Sequence, residues 1–115
     1  MQKANEYITY TFNELAEVMK EIEVMLQSYH RIISYYAIDI NEDVEKFDEN
    51  EFRKEITDFT CNWDVPKRLA NIRSILSERF DNTLGEDDMD DIERTMENIK
   101  YWAKPGDKPN YQVKI

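Results

Sequence analysis

Apolar side chains recur at Phe12, Leu15, Met19, Ile22, Leu26, Tyr29, Ile33 and Tyr36, in alternating steps of three and four, and Val18, Met25 and Ile32 widen the stripe. An α-helix brings residues three and four apart onto one face, so the period predicts one long amphipathic helix over Thr11–Ala37. Thr11 and Glu14 have the spacing of a capping box, in which each side chain satisfies the other residue's orphan amide. No Gly or Pro interrupts the chain before Pro66. Tyr7, Ile8, Thr9 and Tyr10 are β-branched or aromatic and could form an edge strand, but the stripe extends back through Ile8 to Ala4, so helix is expected there as well.

A turn is expected around Asp39–Asp43, with a helical turn at Val44–Phe47 after it. Asp48 and Glu51 then repeat the capping pattern ahead of Phe52, Ile56 and Phe59, which give a short second helix one apolar face. Asp64 can cap a third helix, because Pro66 falls in the first turn, where a missing amide costs nothing. Leu69, Ile72, Ile75, Leu76 and Phe80 would be its buried side, with an end near Asn82. Gly85 opens a fourth helix. Acidic residues from Glu86 to Asp91 fill its first turn and Lys100 and Lys104 lie at its far end, as the helix dipole favours. Met89, Ile92, Met96, Ile99 and Tyr101 or Trp102 would face inward, and Pro105, Gly106 and Pro109 end the helix. Four amphipathic helices without a confident strand pair predict an all-α fold, a single-domain bundle with a long N-terminal helix as its spine. The domain spans residues 1–115, with 105–115 as a loop and C-terminal tail. The long seam could instead form a coiled-coil dimer surface, but an apolar arc this wide suits an intramolecular core.

The chain has 115 residues, 41% of them hydrophobic, with 14 aromatics, enough for one core and against disorder. A single cysteine, Cys61, allows no internal disulfide and suits a reducing compartment, so the cytoplasm is expected. No uncharged stretch exceeds seven residues, and Glu6, Glu14 and Glu17 break any signal-peptide pattern, so neither membrane insertion nor export is expected. A net charge of -10 argues against direct binding to nucleic acid or anionic lipid and toward a basic partner. The charge is concentrated. Residues 37–64 hold ten carboxylates against Lys46, Arg53 and Lys54, interleaved with Phe47, Phe52, Phe59 and Trp63. Charged residues on a helix exterior are usually only a solvated face, and it is their density here that marks a candidate binding surface.

Catalytic chemistry is sparse. The one imidazole, His30, sits between core positions of the long helix, and the one thiol, Cys61, has no local group to activate it. Arg31 follows His30, the reverse of the order in helical ribonucleases of the HEPN type. Asp87, Asp88 and Asp91 fit the Asp-Asp-x-x-Asp spacing of prenyl-chain synthases, yet a second acidic helix and a large enclosing barrel are missing, and helix capping explains the cluster. Neither acidic stretch supplies the loop glycine of an EF-hand, and one Cys with one His makes zinc improbable. The isolated Gly85 and Gly106 cannot build a phosphate loop. No cofactor, metal or enzymatic activity is expected.

The stretch Asn41-Glu-Asp-Val-Glu-Lys-Phe-Asp-Glu-Asn-Glu-Phe and the cluster Glu86-Asp-Asp-Met-Asp-Asp, on a short helical bundle without catalytic residues, resemble the small acidic cytoplasmic immunity proteins that neutralise bacterial toxins, including those of contact-dependent growth inhibition systems. The resemblance is one of class over the whole chain, without an aligned motif, so no residue role is transferred. It implies a specific inhibitor whose partner is a basic toxin, most often a nuclease domain, covered at or beside its active site. Electrostatics agrees, since carboxylates can occupy a groove built for a polyanion. The residues expected to bind the partner are Glu42, Asp43, Glu45, Phe47, Asp48, Glu49, Asp58 and Trp63. Tyr35 and Trp102 are further aromatic anchors, while core packing is expected for Phe52, Phe59 and Phe80. The protein is expected to be a monomer before the complex forms. Two other readings stand beside this one: a helical adaptor, oligomeric or not, using Tyr29, Tyr35 and Tyr36, and an acidic nucleic-acid mimic that inhibits a DNA-handling protein.

Overall fold

A computed structural model describes residues 7–42 and 48–110, with the side chains of 37–42 excepted. The described residues are all-α: α1 is Phe12–Glu42, α2 Glu49–Asn62, α3 Val65–Ser77 and α4 Asp91–Met96. The chain divides into two compact units, one of Thr9–Arg79 and one of Met1–Ile8 with Phe80–Ile115.

In the first unit, α1 starts where its capping box does. The Thr11 amide donates to Glu14 Oε1 at 2.8 Å and the Glu14 amide to Thr11 Oγ1 at 3.1 Å. Tyr7–Tyr10 is not helical, contrary to the expectation from the apolar spacing. The cap stops the helix, and Tyr10 instead donates its hydroxyl to the Leu76 carbonyl at 2.6 Å. At its other end α1 runs through Asp39 to Glu42, where a turn was expected, because no Gly or Pro is present to break it. The expected helical turn at Val44–Phe47 lies outside the described residues.

Asp48 caps α2 as its position predicts, its Oδ1 accepting from the amides of Asn50 at 2.9 Å and Glu51 at 3.2 Å. Only Trp63 and Asp64 separate α2 from α3. Asp64 makes the reversal in the left-handed region, φ 54°, and its carboxylate forms no cap bond. A side-chain cap needs extended backbone, so Asp64 starts α3 through its carbonyl alone, which accepts from the Arg68 amide at 2.9 Å. α3 ends at Ser77, short of Asn82, and Arg79 turns back to the start of α1, with Nη2 2.9 Å and Nε 3.1 Å from the Glu14 carboxylate.

α1, α2 and α3 pack pairwise. Met25, Phe59 and Val65 are buried between them, with Val24, Tyr29, Ile32 and Ile72 packed around. Val18 is buried on α1 as well. The Tyr29 ring meets Phe59 edge-on, centroids 4.8 Å apart, and its hydroxyl lies 2.8 Å from Thr60 Oγ1, which itself donates to the Ile56 carbonyl. A half-buried pair, Arg68 with Glu21 at 3.1 Å, ties α3 to α1. The α1 stripe is only partly core. Phe12, Leu15, Met19, Leu26 and Ile33 are exposed, because α2 and α3 meet α1 on the Val18, Met25 and Ile32 side and cannot cover so wide an arc.

In the second unit, α4 is six residues long and does not run from Gly85 toward Lys104. Gly85–Asp88 forms a turn instead, closed by the Gly85 amide on the Met89 carbonyl at 2.9 Å, with Asp88 at φ 62°. Short acidic side chains favour such local bonding over continuing a helix. Asp90 and Glu93 cap α4 reciprocally. Arg94 organises the segment, bonding Asp87 at 2.7 and 2.8 Å, Asp91 at 2.6 Å and the Met89 carbonyl at 2.7 Å. Asp91 is the buried member, 4% exposed. After α4 the chain turns at Lys104–Asp107, with Asp107 Oδ2 accepting two amides and Gly106 supplying φ 93°.

Candidate functional site

α1 and α2 leave an open groove between them in the first unit. One cleft of about 370 Å³ is lined by Ser28, Arg31 and Ile32 of α1, by Glu55, Asp58, Phe59 and Asn62 of α2, and by Trp63. A second of about 350 Å³ shares Arg31, Ile32 and Glu55 and adds Tyr35 and Tyr36. Steps of three and four bring these residues to one face of each helix: Ser28, Arg31, Ile32 and Tyr35 on α1, and Glu55, Asp58, Phe59 and Asn62 on α2. Ile32 and Phe59 give the groove an apolar floor, while Arg31, Glu55 and Asp58 give it a charged rim.

Trp63 closes one end. Its amide donates to the Phe59 carbonyl at 2.9 Å and its own carbonyl accepts from Arg68 Nε at 2.8 Å, so the backbone that carries the indole is held on both sides. The ring lies 5.5 Å from that of Phe59 and is 49% exposed. Edge-on contacts from Tyr36 to Phe52 at 5.5 Å and to Tyr35 at 5.1 Å line the other end, where Tyr35 is exposed.

The structure splits the expected partner-binding set. Asp58 and Trp63 come together in the groove. Asp48 and Glu49 lie at the start of α2, about 14 Å along the helix from Asp58 and about 21 Å from Trp63 at 1.5 Å per residue, and do not join them. Glu42 is the last residue of α1, and Asp43, Glu45 and Phe47 lie outside the described residues. The carboxylates that are described have local work. Asp48 caps α2, Glu49 pairs with Arg53 at 2.8 Å, and Asp58 pairs with Lys54 at 2.6 Å, which raises the pKa of the Lys54 ammonium. Neither Glu51 nor Glu55 has an ion-pair partner among the described residues. Sequence reasoning missed Arg31 and Glu55 as groove residues. The signal was present in Ser28, Ile32 and Tyr36 at steps of four facing Glu55 and Phe59, but which α1 residues face α2 is a tertiary fact. Of the residues expected in the core, Phe59 is buried and Phe52 and Phe80 are half-buried.

The second acidic cluster is occupied by structure. Asp87 and Asp91 both hold Arg94, whose guanidinium keeps the Asp87 carboxyl well below the usual carboxylate range, and Asp90 is a cap. Trp102 belongs to that unit, exposed beside a hollow of about 150 Å³ with Lys100 and Lys108. His30 and Cys61 are both exposed, and no hydrogen bond joins them. Among the described residues no group of three or more His, Cys, Asp or Glu side chains is placed to hold a metal ion, and no helix is long and apolar enough to cross a membrane.

Comparison with protein-family models, curated proteins and solved structures finds no match to the chain.

Proposed function

We propose that this protein is an inhibitor of the immunity type, which binds a basic toxin domain, of nuclease chemistry, through the α1–α2 groove and covers its polyanion-binding surface. The observation that carries the reading is Trp63: a large aromatic ring, held at its backbone and half in solvent, beside Glu55 and Asp58 on an apolar floor. Aromatic anchors ringed by polar groups supply most of the affinity at protein interfaces, and rim charges chiefly set the rate of capture. A net charge of -10 draws a cationic partner toward the groove and repels nucleic acid. The exposed apolar line of α1 favours a second reading, an adaptor that docks other proteins along that helix.

Capture from lysate of the cell that encodes the chain, at low and then high salt, tests the first reading. The expected product is one basic protein with nuclease activity, released by salt and lost when Trp63→Ala replaces the native chain. Retention by the variant equal to that of the native chain contradicts it.

A further inference from the structure

Arg31 stands at the waist of the groove, where it lines both clefts, and Glu55 lines both from the opposite wall on α2. Of the six arginines, Arg53 is held by Glu49, Arg68 by Glu21, Arg79 by Glu14 and Arg94 by Asp87 and Asp91. Arg31 and Arg73 have no ion pair among the described residues, and of these two only Arg31 lines the groove. The sequence explains why Arg31 is uncommitted. Residues three and four away from it on α1 are Gln27, Ser28, Ser34 and Tyr35, none a carboxylate, and those around Glu55 on α2 are Glu51, Phe52, Asp58 and Phe59, none a cation. Asp58, the other carboxylate of the groove, is already taken by Lys54 at 2.6 Å. Arg31 and Glu55 are both exposed. The groove thus carries one uncommitted cation and one uncommitted anion on opposite sides of an apolar floor.

Bulk charge and local charge ask different things of a partner. The net charge of -10 attracts any polycation, but a surface of lysines and arginines laid over the groove would meet Arg31 with like charge and seal it from water without a counter-charge. A guanidinium offers two parallel N–H donors that match one carboxylate, and a carboxylate such as Glu55 accepts from a cation set beside it. We infer, building on the immunity reading of this groove, that Arg31 is its specificity-determining residue: it takes a carboxylate of the basic partner, while Glu55 takes a neighbouring cation. The cognate surface is then a basic one with an acidic residue set in it, and Arg31 rejects basic surfaces that lack one.

The sign of the effect separates this role from bulk electrostatics. Arg31→Gln makes the chain more acidic, so bulk charge alone would tighten its hold on a basic protein, whereas loss of the carboxylate contact loosens it. Dissociation of the basic protein captured by the native full-length chain should be roughly tenfold faster from Arg31→Gln and faster still from Arg31→Glu, with helicity by circular dichroism unchanged because the residue is exposed. Polylysine, a polycation without side-chain carboxylates, should bind Arg31→Gln at least as tightly as the native chain. Changing one acidic residue of the captured protein to Lys should restore its hold on the Arg31→Glu chain. Native or slower dissociation from Arg31→Gln overturns the inference and leaves the proposed function standing. So does restored binding when Arg31→Glu and Glu55→Arg are combined in one chain, which would mean that the two residues pair with each other. Capture of no basic protein by the native chain overturns the proposed function and this inference with it.

Discussion

Glu14 links two structural jobs in one carboxylate. One oxygen accepts from the Thr11 amide and closes the α1 cap, and both accept from Arg79. Hydrogen bonding from Arg79, with the Thr11 amide second, lowers its pKa from 4.5 to about 2. A carboxyl whose folded pKa lies below its unfolded one stabilises the fold fully above the unfolded value, and that contribution is lost as protons bind. The native chain should therefore melt higher than Glu14→Gln at neutral pH, and the gap should close as pH falls from 4.5 toward 2. Thermal melts of both proteins across that range check it, and a gap that persists at the acid end would contradict it. The Thr11–Glu14 box was legible from two residues and a spacing, as local bonds are. Its Arg79 partner was not, because a contact across 65 residues depends on where α3 stops.

At the scale of elements, Asp48 and Asp64 look alike in sequence, each standing before a helix, and differ in the fold. Asp48 has extended backbone and bonds two amides, whereas Asp64 sits at φ 54° and bonds none through its side chain. Asp48→Ala should destabilise by about 1 kcal/mol, the usual worth of a side-chain cap. Asp64→Asn keeps a residue that tolerates the left-handed region and should cost less than about 0.5 kcal/mol. Denaturant titration of the two variants decides between these roles, and equal losses would contradict the difference. Helix existence was legible from apolar period for α1, α2 and α3. The fourth helix was overextended because the acidic run at Glu86–Asp91, consistent with a helix dipole, is equally consistent with the turn that Arg94 fastens through Asp87 and the Met89 carbonyl. The α1 seam misled in another way: an apolar face shows what a helix could bury, and not how much its neighbours cover. Leu26, a central seam residue by spacing, is half in solvent.

At the scale of the molecule, the proposed function divides the work of recognition between charge and groove. In that proposal the net charge of -10 would act at a distance and Trp63, packed on Phe59, would act on contact. Density of carboxylates in residues 37–64 pointed to a stretch that includes α2, one wall of the proposed binding groove. It could not distinguish Asp48 and Glu49, which serve α2 itself, from Asp58, which borders the groove beside Trp63. The most direct test of partner binding in this groove is stopped-flow association and dissociation of the captured basic partner at increasing ionic strength, for the native chain, Asp58→Asn with Glu55→Gln, and Trp63→Ala. The account predicts association that slows steeply with salt, a slower association rate for the charge variant, and dissociation at least about 30-fold faster for Trp63→Ala, as loss of a hot spot of about 2 kcal/mol gives. Salt-independent association with native dissociation from the Trp63→Ala chain would contradict it.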